Sequence, residues 1–236
     1  MEKKYKAIVF DVSDTLVEYS PNYAQIYGDR LRSLGFEISK EKANEISKTV
    51  NWTIGEQNHR EQYGAPHMSE EELNVLLDEA ALSCVTDKSD RNPQYLDQLK
   101  KVQIPKQELS IISDVIRVLD NLTCKYRLAI VSNHYPWLMD YLKACGLAPY
   151  FESIVISDIV GVAKPDSRIM QIALDELSLH AKDCIYIGDQ PMDVLCSKQI
   201  GMDCAWIAPE DYVLPESIPY KEDYRIASIS ELLRIL

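Results

Sequence analysis

The length, composition and charge of the chain exclude several classes of protein. Its 236 residues suffice for one large domain, or for a medium domain with a smaller one, and 46% hydrophobic and 26% charged residues are typical of an ordinary globular protein. The formal net charge is −12 at pH 7, and the Lys and Arg residues are scattered. We therefore expect no nucleic-acid partner and no membrane partner, and an anionic substrate would need a few local donors and a bound cation.

The cysteines and the start of the chain indicate a cytoplasmic protein. The 6 cysteines lie far apart and form no C-x-x-C motif, which predicts buried, reduced thiols. The opening residues contain only a short apolar run that turns acidic at Asp11, unlike a signal peptide, and no apolar stretch approaches the length of a membrane span.

Short apolar runs alternate with amphipathic patterns along most of the chain. The runs of β-forming residues lie at 7–10, 128–131, 154–156, 184–187 and 204–207. Helical patterns lie at about 115–122, 137–145, 167–177 and 192–200. This alternation predicts an α/β fold with a parallel sheet and right-handed crossovers. Ser228 and Glu231 predict a capping box before a short C-terminal helix.

The segment from about residue 19 to residue 105 breaks this alternation. It contains no convincing strand, and its apolar residues recur at helical spacing over residues 23–34 and 73–84. Gly64-Ala65-Pro66 is expected to form a loop between helices. The sequence therefore predicts an inserted helical subdomain.

Polar side chains follow the predicted strands, at the edge where ligands bind in an open α/β sheet. The segments are Asp11-Val12-Ser13-Asp14-Thr15 after the first run, Ser132-Asn133 after the second, Lys164-Pro165 after the third and Gly188-Asp189 with Asp193 after the fourth. Any one of these segments arises easily by chance. Their order and spacing together are the informative signal.

These four segments resemble the motifs of the haloacid dehalogenase-like (HAD) hydrolase superfamily, in the subfamily with a helical cap between the first and second motifs. The family's motifs are an Asp-led loop, a Ser or Thr, a Lys, and an acidic Gly-Asp loop. The resemblance spans essentially the whole core. It implies a Rossmann-like parallel sheet formed by residues 1–18 and 106–236, with a mostly helical cap at residues 19–105.

The resemblance implies a nucleophile and a metal site, and the chemistry of the side chains agrees. Asp11 is expected to attack phosphorus and form an aspartyl phosphate. Because two anions repel each other, Mg²⁺ is expected to bridge this carboxylate and a phosphate oxygen. The further metal ligands would be the backbone carbonyl of Ser13, the carboxylate of Asp189, and Asp193 either directly or through a coordinated water.

The remaining motif residues are expected to bind the substrate. Lys164 would neutralise the transferring phosphoryl group and Asp11, and Ser132 would donate a hydrogen bond to a phosphoryl oxygen. Thr15 and Asn133 would help to shape the phosphate-binding loop. The resemblance thus implies hydrolysis of a small phosphorylated metabolite by a monomer or a homodimer.

One position departs from the family pattern. Most phosphatases of this family carry a second Asp two residues after the nucleophile, as general acid and then base, and here that residue is Ser13. Asp14 stands one place later, and we do not assign it the acid/base role. Losing a general acid typically costs roughly 10²–10⁴-fold in rate, so we expect a slow phosphatase.

Two other functions remain open. In 2-haloacid dehalogenases an Asp attacks carbon without a metal and the Gly-Asp motif is replaced, whereas this chain retains Gly188-Asp189, which favours metal-assisted phosphoryl chemistry. The other alternative is a catalytically weak protein that binds a phosphometabolite. A pure binding protein would have no evident need for Asp11 as a nucleophile.

Overall fold

The structure is a computed structural model that describes residues 4–62, 68–86, 93–210 and 212–236. The predicted loop at Gly64-Ala65-Pro66 lies outside these residues. The chain divides into two compact units: a sheet unit, Met1–Glu18 with Ser110–Leu236, and a helical unit, Tyr19–Leu109. Among the described residues, no helix is long and apolar enough to cross a membrane.

The sheet unit is built on a six-stranded sheet. In chain order the strands are β1 (Ala7–Phe10), β2 (Val17–Ser20), β3 (Glu108–Ile111), β4 (Arg127–Ser132), β5 (Ser153–Ile156), β6 (Cys184–Gly188), β7 (Asp203–Ile207) and β8 (Tyr224–Ile226). The sheet has the order β5-β4-β1-β6-β7-β8, and every neighbouring pair in it is parallel. The predicted α/β fold with a Rossmann-like parallel sheet is confirmed.

The helices follow the predicted periodicity. They are α1 (Tyr23–Ser33), α2 (Lys40–Gln62), α3 (Glu70–Ser83), α4 (Pro93–Leu99), α5 (Val115–Thr123), α6 (Trp137–Ala144), α7 (Ser157–Val160), α8 (Arg168–Leu177), α9 (Pro191–Gln199) and α10 (Leu232–Ile235). Helix α5 buries Val115, Val118, Leu119 and Leu122, which share one face at helical spacing. Beyond α9, Gly201 has a φ of +77°, a left-handed conformation that glycine adopts without steric cost.

The sheet is buried on both faces. Every residue of β1 and β6 is buried, as expected for central strands of a parallel sheet that helices cover. One apolar cluster joins the strands to α8 through Ile169, Ala173 and Leu177. The sheet therefore provides a rigid base for the loops at its carboxyl edge.

The helical unit has its own apolar core, formed largely by Ile26, Leu31, Ile46, Leu77 and Leu99. The first helix begins with a capping box between Asn22 and Gln25, and α3 begins with one between Ser69 and Glu72. A buried ion pair between Arg30 and Asp78 joins α1 to α3.

Strands β2, β3 and β8 were not predicted from the sequence. Strand β2 extends to Ser20, within the segment that showed no convincing strand, and pairs with β3. These strands are only partly buried, so they lack the continuous apolar run of the central strands. Strand β8 was also missed, because it is only 3 residues long.

The predicted capping box at the C-terminus is absent. Glu231 accepts a hydrogen bond from the backbone N–H of Ala227, and Ser228 makes no side-chain cap. The thiols also differ from the prediction: all the cysteines are free, but Cys124 is exposed and Cys84 and Cys145 are only partly buried.

Candidate active site

The nucleophile candidate lies directly after β1. Asp11 is buried, and its backbone N–H donates to the carbonyl of Ile187 at 2.8 Å, which extends the pairing of β1 with β6 by one step. The central position of β1 in the sheet thus holds Asp11 between the ends of two neighbouring strands. Ser132, buried at the last position of β4, and Asp189, just after β6, lie at the same edge of the sheet.

The side-chain ammonium of Lys164 has its full number of hydrogen-bond acceptors. Its Nζ lies 2.9 Å from Asp11 Oδ1, 2.6 Å from Asp193 Oδ1 and 3.0 Å from the hydroxyl of Tyr186. The Tyr186 hydroxyl donates to the carbonyl of Val131 at 2.8 Å, so it accepts from Lys164. An ammonium group has three N–H bonds, and all three are engaged.

The buried ammonium of Lys164 stays charged. Burial lowers the pKa of this lysine, but the carboxylates of Asp11 and Asp193 outweigh that effect and hold the pKa above its usual range. The structure therefore keeps a fixed positive charge against Asp11.

Asp193 is held by the turn that begins α9. Its Oδ1 accepts from Lys164, and its Oδ2 accepts from the backbone N–H of Gln190 at 2.9 Å. A Cβ atom at residue 188 would clash with the carboxylate of Asp193, so this close approach requires glycine. Burial raises the pKa of Asp193 to about 6, although Lys164 acts in the opposite direction. Both carboxylate oxygens of Asp193 thus have partners within the protein.

Asp189 differs, because one of its oxygens has no protein partner. Its Oδ1 is buried and makes no hydrogen bond to any described residue, whereas its Oδ2 accepts from the side chain of Gln190. The backbone carbonyl of Asp189 accepts from the indole N–H of Trp206 at 2.8 Å. Burial raises the pKa of Asp189 well above its usual range, and the negative charges of Asp11, Asp14 and Asp193 raise it further.

These carboxylates form a cluster that fits a hard divalent cation. Asp11, Asp189 and Asp193 each offer one oxygen, and these oxygens lie within 4.8 Å of one another. An oxygen-only donor set with an unpartnered buried carboxylate atom matches the ligand preference of Mg²⁺. Ser13, the other predicted metal ligand, lies half-buried in the turn after β1, where it forms an isolated bridge with Val17.

The turn after β1 is tightly closed by backbone hydrogen bonds. The carbonyl of Val12 accepts from Leu16 at 2.8 Å and from Val17 at 3.0 Å. Asp14 has a φ of 54°, in the left-handed region that Asp tolerates better than most residues. Thr15 is fully buried, and its Oγ1 has no hydrogen-bond partner among the described residues.

Asn133, which is predicted to help shape the phosphate-binding loop, contacts the backbone of Lys164. Its Nδ2 donates to the carbonyl of Lys164 at 2.8 Å, and its Oδ1 accepts from the backbone N–H of Lys164 at 2.7 Å. Both ends of the amide thus join the loop after β4 to the backbone that carries Lys164.

Three residues of this site were missed in the sequence. Tyr186 was missed because it lies within an apolar run. Its hydroxyl was the available signal, because a hydroxyl in a fully buried strand requires a polar partner. Gln190 and Trp206 likewise act through contacts that no local motif records.

The family assignment follows from a sequence profile of the haloacid dehalogenase-like hydrolases, which matches residues 8–207. The chain belongs to this hydrolase family. The predicted membership of the HAD superfamily is thus confirmed, and the matched range includes all the motif residues described above.

Relatives of this HAD hydrolase include phosphatases. The phosphoserine phosphatase of Thermus thermophilus is 32% identical over 111 residues, which cover 44% of this chain and 42% of that protein, less than half of its length. The glyceraldehyde 3-phosphate phosphatase of Methanocaldococcus jannaschii is 26% identical over 190 residues, 71% of this chain and 80% of that protein. Among solved structures, a dehalogenase with an intermediate complex has a TM-score of 0.66 at 22% identity and covers 100% of this chain and 99% of its own. At that identity the likeness concerns the fold.

Proposed function

We propose that this HAD hydrolase is a Mg²⁺-dependent phosphatase of small phosphomonoesters that acts through an aspartyl phosphate on Asp11. Two observations on Asp189 carry the proposal. Its buried Oδ1 has no hydrogen-bond partner among the described residues, and one of its carboxylate oxygens lies within 4.8 Å of carboxylate oxygens of Asp11 and Asp193. Such a cluster is costly unless a cation shares it. The phosphatase relatives support the same class of reaction.

The metal would be held by Asp11, Asp189 and the carbonyl of Ser13. Asp193 fits better as a residue that orients a coordinated water, because its two oxygens already accept from Lys164 and Gln190. When bound, Mg²⁺ would shield the nucleophile from the negative phosphoryl group and stabilise charge on the transferring oxygens.

The protein's own groups prepare Asp11 for attack. Oδ1 is held by Lys164 at 2.9 Å. The carboxylate would form a bond to phosphorus as the bond from phosphorus to the ester oxygen breaks, and water would then release inorganic phosphate and restore the carboxylate. For Lys164 to donate to a phosphoryl oxygen, one of its present acceptors must give way. Ser132 and Thr15 would supply hydroxyl groups to the phosphoryl oxygens.

In this proposal the lack of a general acid at Ser13 limits the rate of hydrolysis. A departing alkoxide needs a proton, and the hydroxyl of Ser13 has too high a pKa to supply it efficiently. We expect good turnover only of esters with a good leaving group. Residues 19–105 would act as the cap that determines which substrates are accepted.

The test is phosphate release from p-nitrophenyl phosphate and a panel of metabolite phosphates, with Mg²⁺ or with EDTA. Asp11→Asn should abolish release, and so should EDTA. Asp120→Asn, which removes a surface carboxylate that accepts from Tyr150 at 2.7 Å, should retain it. Equal release from wild type and Asp11→Asn would contradict the proposal, and metal-independent turnover of a 2-haloacid would assign the site to dehalogenation instead.

A further inference from the structure

Exposed aromatic side chains lie immediately beyond the motif residue Asn133. Tyr135 is 59% exposed and Trp137 is 45% exposed, and they are two of the five large hydrophobic side chains that the described residues leave exposed. Water-exposed aromatic surface beside a candidate active site is a common mark of a ligand contact. We call His134, Tyr135 and Trp137 the aromatic edge.

The aromatic edge is rigidly tied to the catalytic residues. Asn133, its neighbour in the chain, bonds the backbone of Lys164 at 2.7 and 2.8 Å, and Lys164 contacts Asp11. On the other side, the backbone N–H of His134 donates to Ser157 Oγ at 3.0 Å. Hydrogen bonds at Asn133 and His134 thus hold the start of the aromatic edge against the backbone of Lys164 and the side chain of Ser157.

Chain length limits the distance between the aromatic edge and Asn133, whose side chain contacts the backbone of Lys164. Tyr135 and Trp137 follow Asn133 by two and four residues, so their Cα atoms lie within about 7 and 14 Å of its Cα. A nucleoside monophosphate can bridge distances of this size.

The geometry of the rings leaves flat surface for a ligand. His134 packs its ring against Trp137 in an edge-to-face contact, with centroids 4.5 Å apart and planes at 82°. This contact fixes the orientation of the Trp137 indole, and nearly half of Trp137 stays open to solvent. A fixed, exposed indole is a surface on which a planar ring can stack.

We propose that the aromatic edge binds an aromatic ring in the leaving group of the substrate, so that the hydrolase prefers phosphomonoesters such as nucleoside 5′-monophosphates over sugar phosphates. This inference rests on the proposed function and narrows its substrate class. The negative net charge of the chain disfavours a nucleic-acid polymer but not a single nucleotide held by a cation and Lys164.

The test compares AMP with ribose 5-phosphate. Both release the same primary alkoxide, so they differ in the base and not in the chemistry of the broken bond. Wild type should show a kcat/KM for AMP at least about fivefold above that for ribose 5-phosphate, and Trp137→Ala should bring the ratio close to one. Trp137→Phe should keep most of the preference. Ile116→Ala, which truncates an exposed apolar residue on α5, should leave the ratio unchanged.

Binding separates this inference from the proposed function. In the Asp11→Asn background, calorimetry with AMP should show an affinity that Trp137→Ala weakens at least about fivefold, even if no substrate is turned over. Turnover of both esters with equal kcat/KM would overturn the inference and leave the phosphatase proposal standing. AMP binding that is indifferent to Trp137→Ala would also overturn it, and a change of oligomeric state in that variant would then assign the aromatic edge to self-association.

Discussion

The hydroxyl of Tyr186 accepts a hydrogen bond from Lys164 Nζ at 3.0 Å and donates one to the carbonyl of Val131 at 2.8 Å. Burial raises the pKa of Tyr186 well above its usual range, and the charges of Asp193 and Asp11 add to this, so the phenol stays neutral. The neutral Tyr186 hydroxyl thus links the ammonium of Lys164 to the backbone of β4 without adding a charge to the site.

Removing the Tyr186 hydroxyl should destabilise the folded protein, because two buried groups lose their hydrogen-bond partner. In Tyr186→Phe, the carbonyl of Val131 and one N–H of Lys164 lose their partner in a buried place, which should cost about 1–3 kcal/mol of unfolding free energy. Urea unfolding measures the loss, and p-nitrophenyl phosphate turnover should fall because Lys164 is less well held. Tyr150→Phe, which removes a surface hydrogen bond to Asp120, is the matched control and should change little. Wild-type stability in Tyr186→Phe would show that the contact contributes nothing.

Magnesium should stabilise the folded protein through Asp189. A ligand that binds only the folded state at 100 times its Kd adds about 2.7 kcal/mol, so Mg²⁺ should raise the Tm and EDTA should reverse the rise. In Asp189→Asn the rise should be lost. The metal-free variant should be at least as stable as metal-free wild type, because it lacks a buried charge among like charges.

Asp114→Asn serves as the control for the metal experiment. It removes an exposed carboxylate that pairs with Arg117 at 3.1 Å, and its Mg²⁺ response should equal that of wild type. An identical Tm rise in Asp189→Asn would place the bound cation elsewhere.

Restoring a carboxyl at position 13 should raise the activity. Ser13→Asp should increase kcat for alkyl phosphates by about 10- to 100-fold, within the range that general acid catalysis supplies. The gain with p-nitrophenyl phosphate should be smaller, because its leaving group needs little protonation. Ser13→Asn has nearly the same shape without the acid and should not gain. Equal gains for both esters would point to a cause other than proton transfer.

The stability of the sheet unit should fall in acid partly through Asp203. Burial raises the pKa of this carboxyl, but hydrogen bonds from Tyr5 and Lys4 outweigh it, and the net pKa lies below its usual value. A depressed pKa stabilises the fold above the pKa of the unfolded chain, about 3.9, and this contribution is lost as the pH falls through the folded value.

Urea unfolding between pH 7 and pH 3 measures this contribution. Asp203→Asn should be less stable than wild type at pH 7, and the difference should shrink toward pH 3. Asp140→Asn, at a carboxylate with 87% of its side chain exposed, should follow the wild-type curve. A difference that is constant with pH would mean that the charge of Asp203 has no part in it.

The central elements follow from local patterns in the chain. Ala7–Phe10 and Cys184–Gly188 are continuous apolar runs because both faces of a central parallel strand are buried. Glycines such as Gly201 mark helix ends because a left-handed residue suits few other side chains. Asp11, Ser132 and Asp189 were recognisable because each lies at or directly after the end of its strand, and parallel strands end at one edge. Lys164 is further from its strand, since α7 lies between it and β5.

Other features depend on contacts between distant parts of the chain. Lys164 contacts Asp11, which is 153 residues away in the sequence, and Tyr186, which is 22 residues away. The local sequence around each residue does not reveal that Asp11 and Tyr186 bind the same ammonium group. Strands β2 and β3 stabilise each other by pairing, so neither needs the apolar pattern that would reveal it alone. The unpartnered oxygen of Asp189 arises in the same way, since whether a buried group is satisfied depends on which neighbours the fold brings within hydrogen-bonding distance.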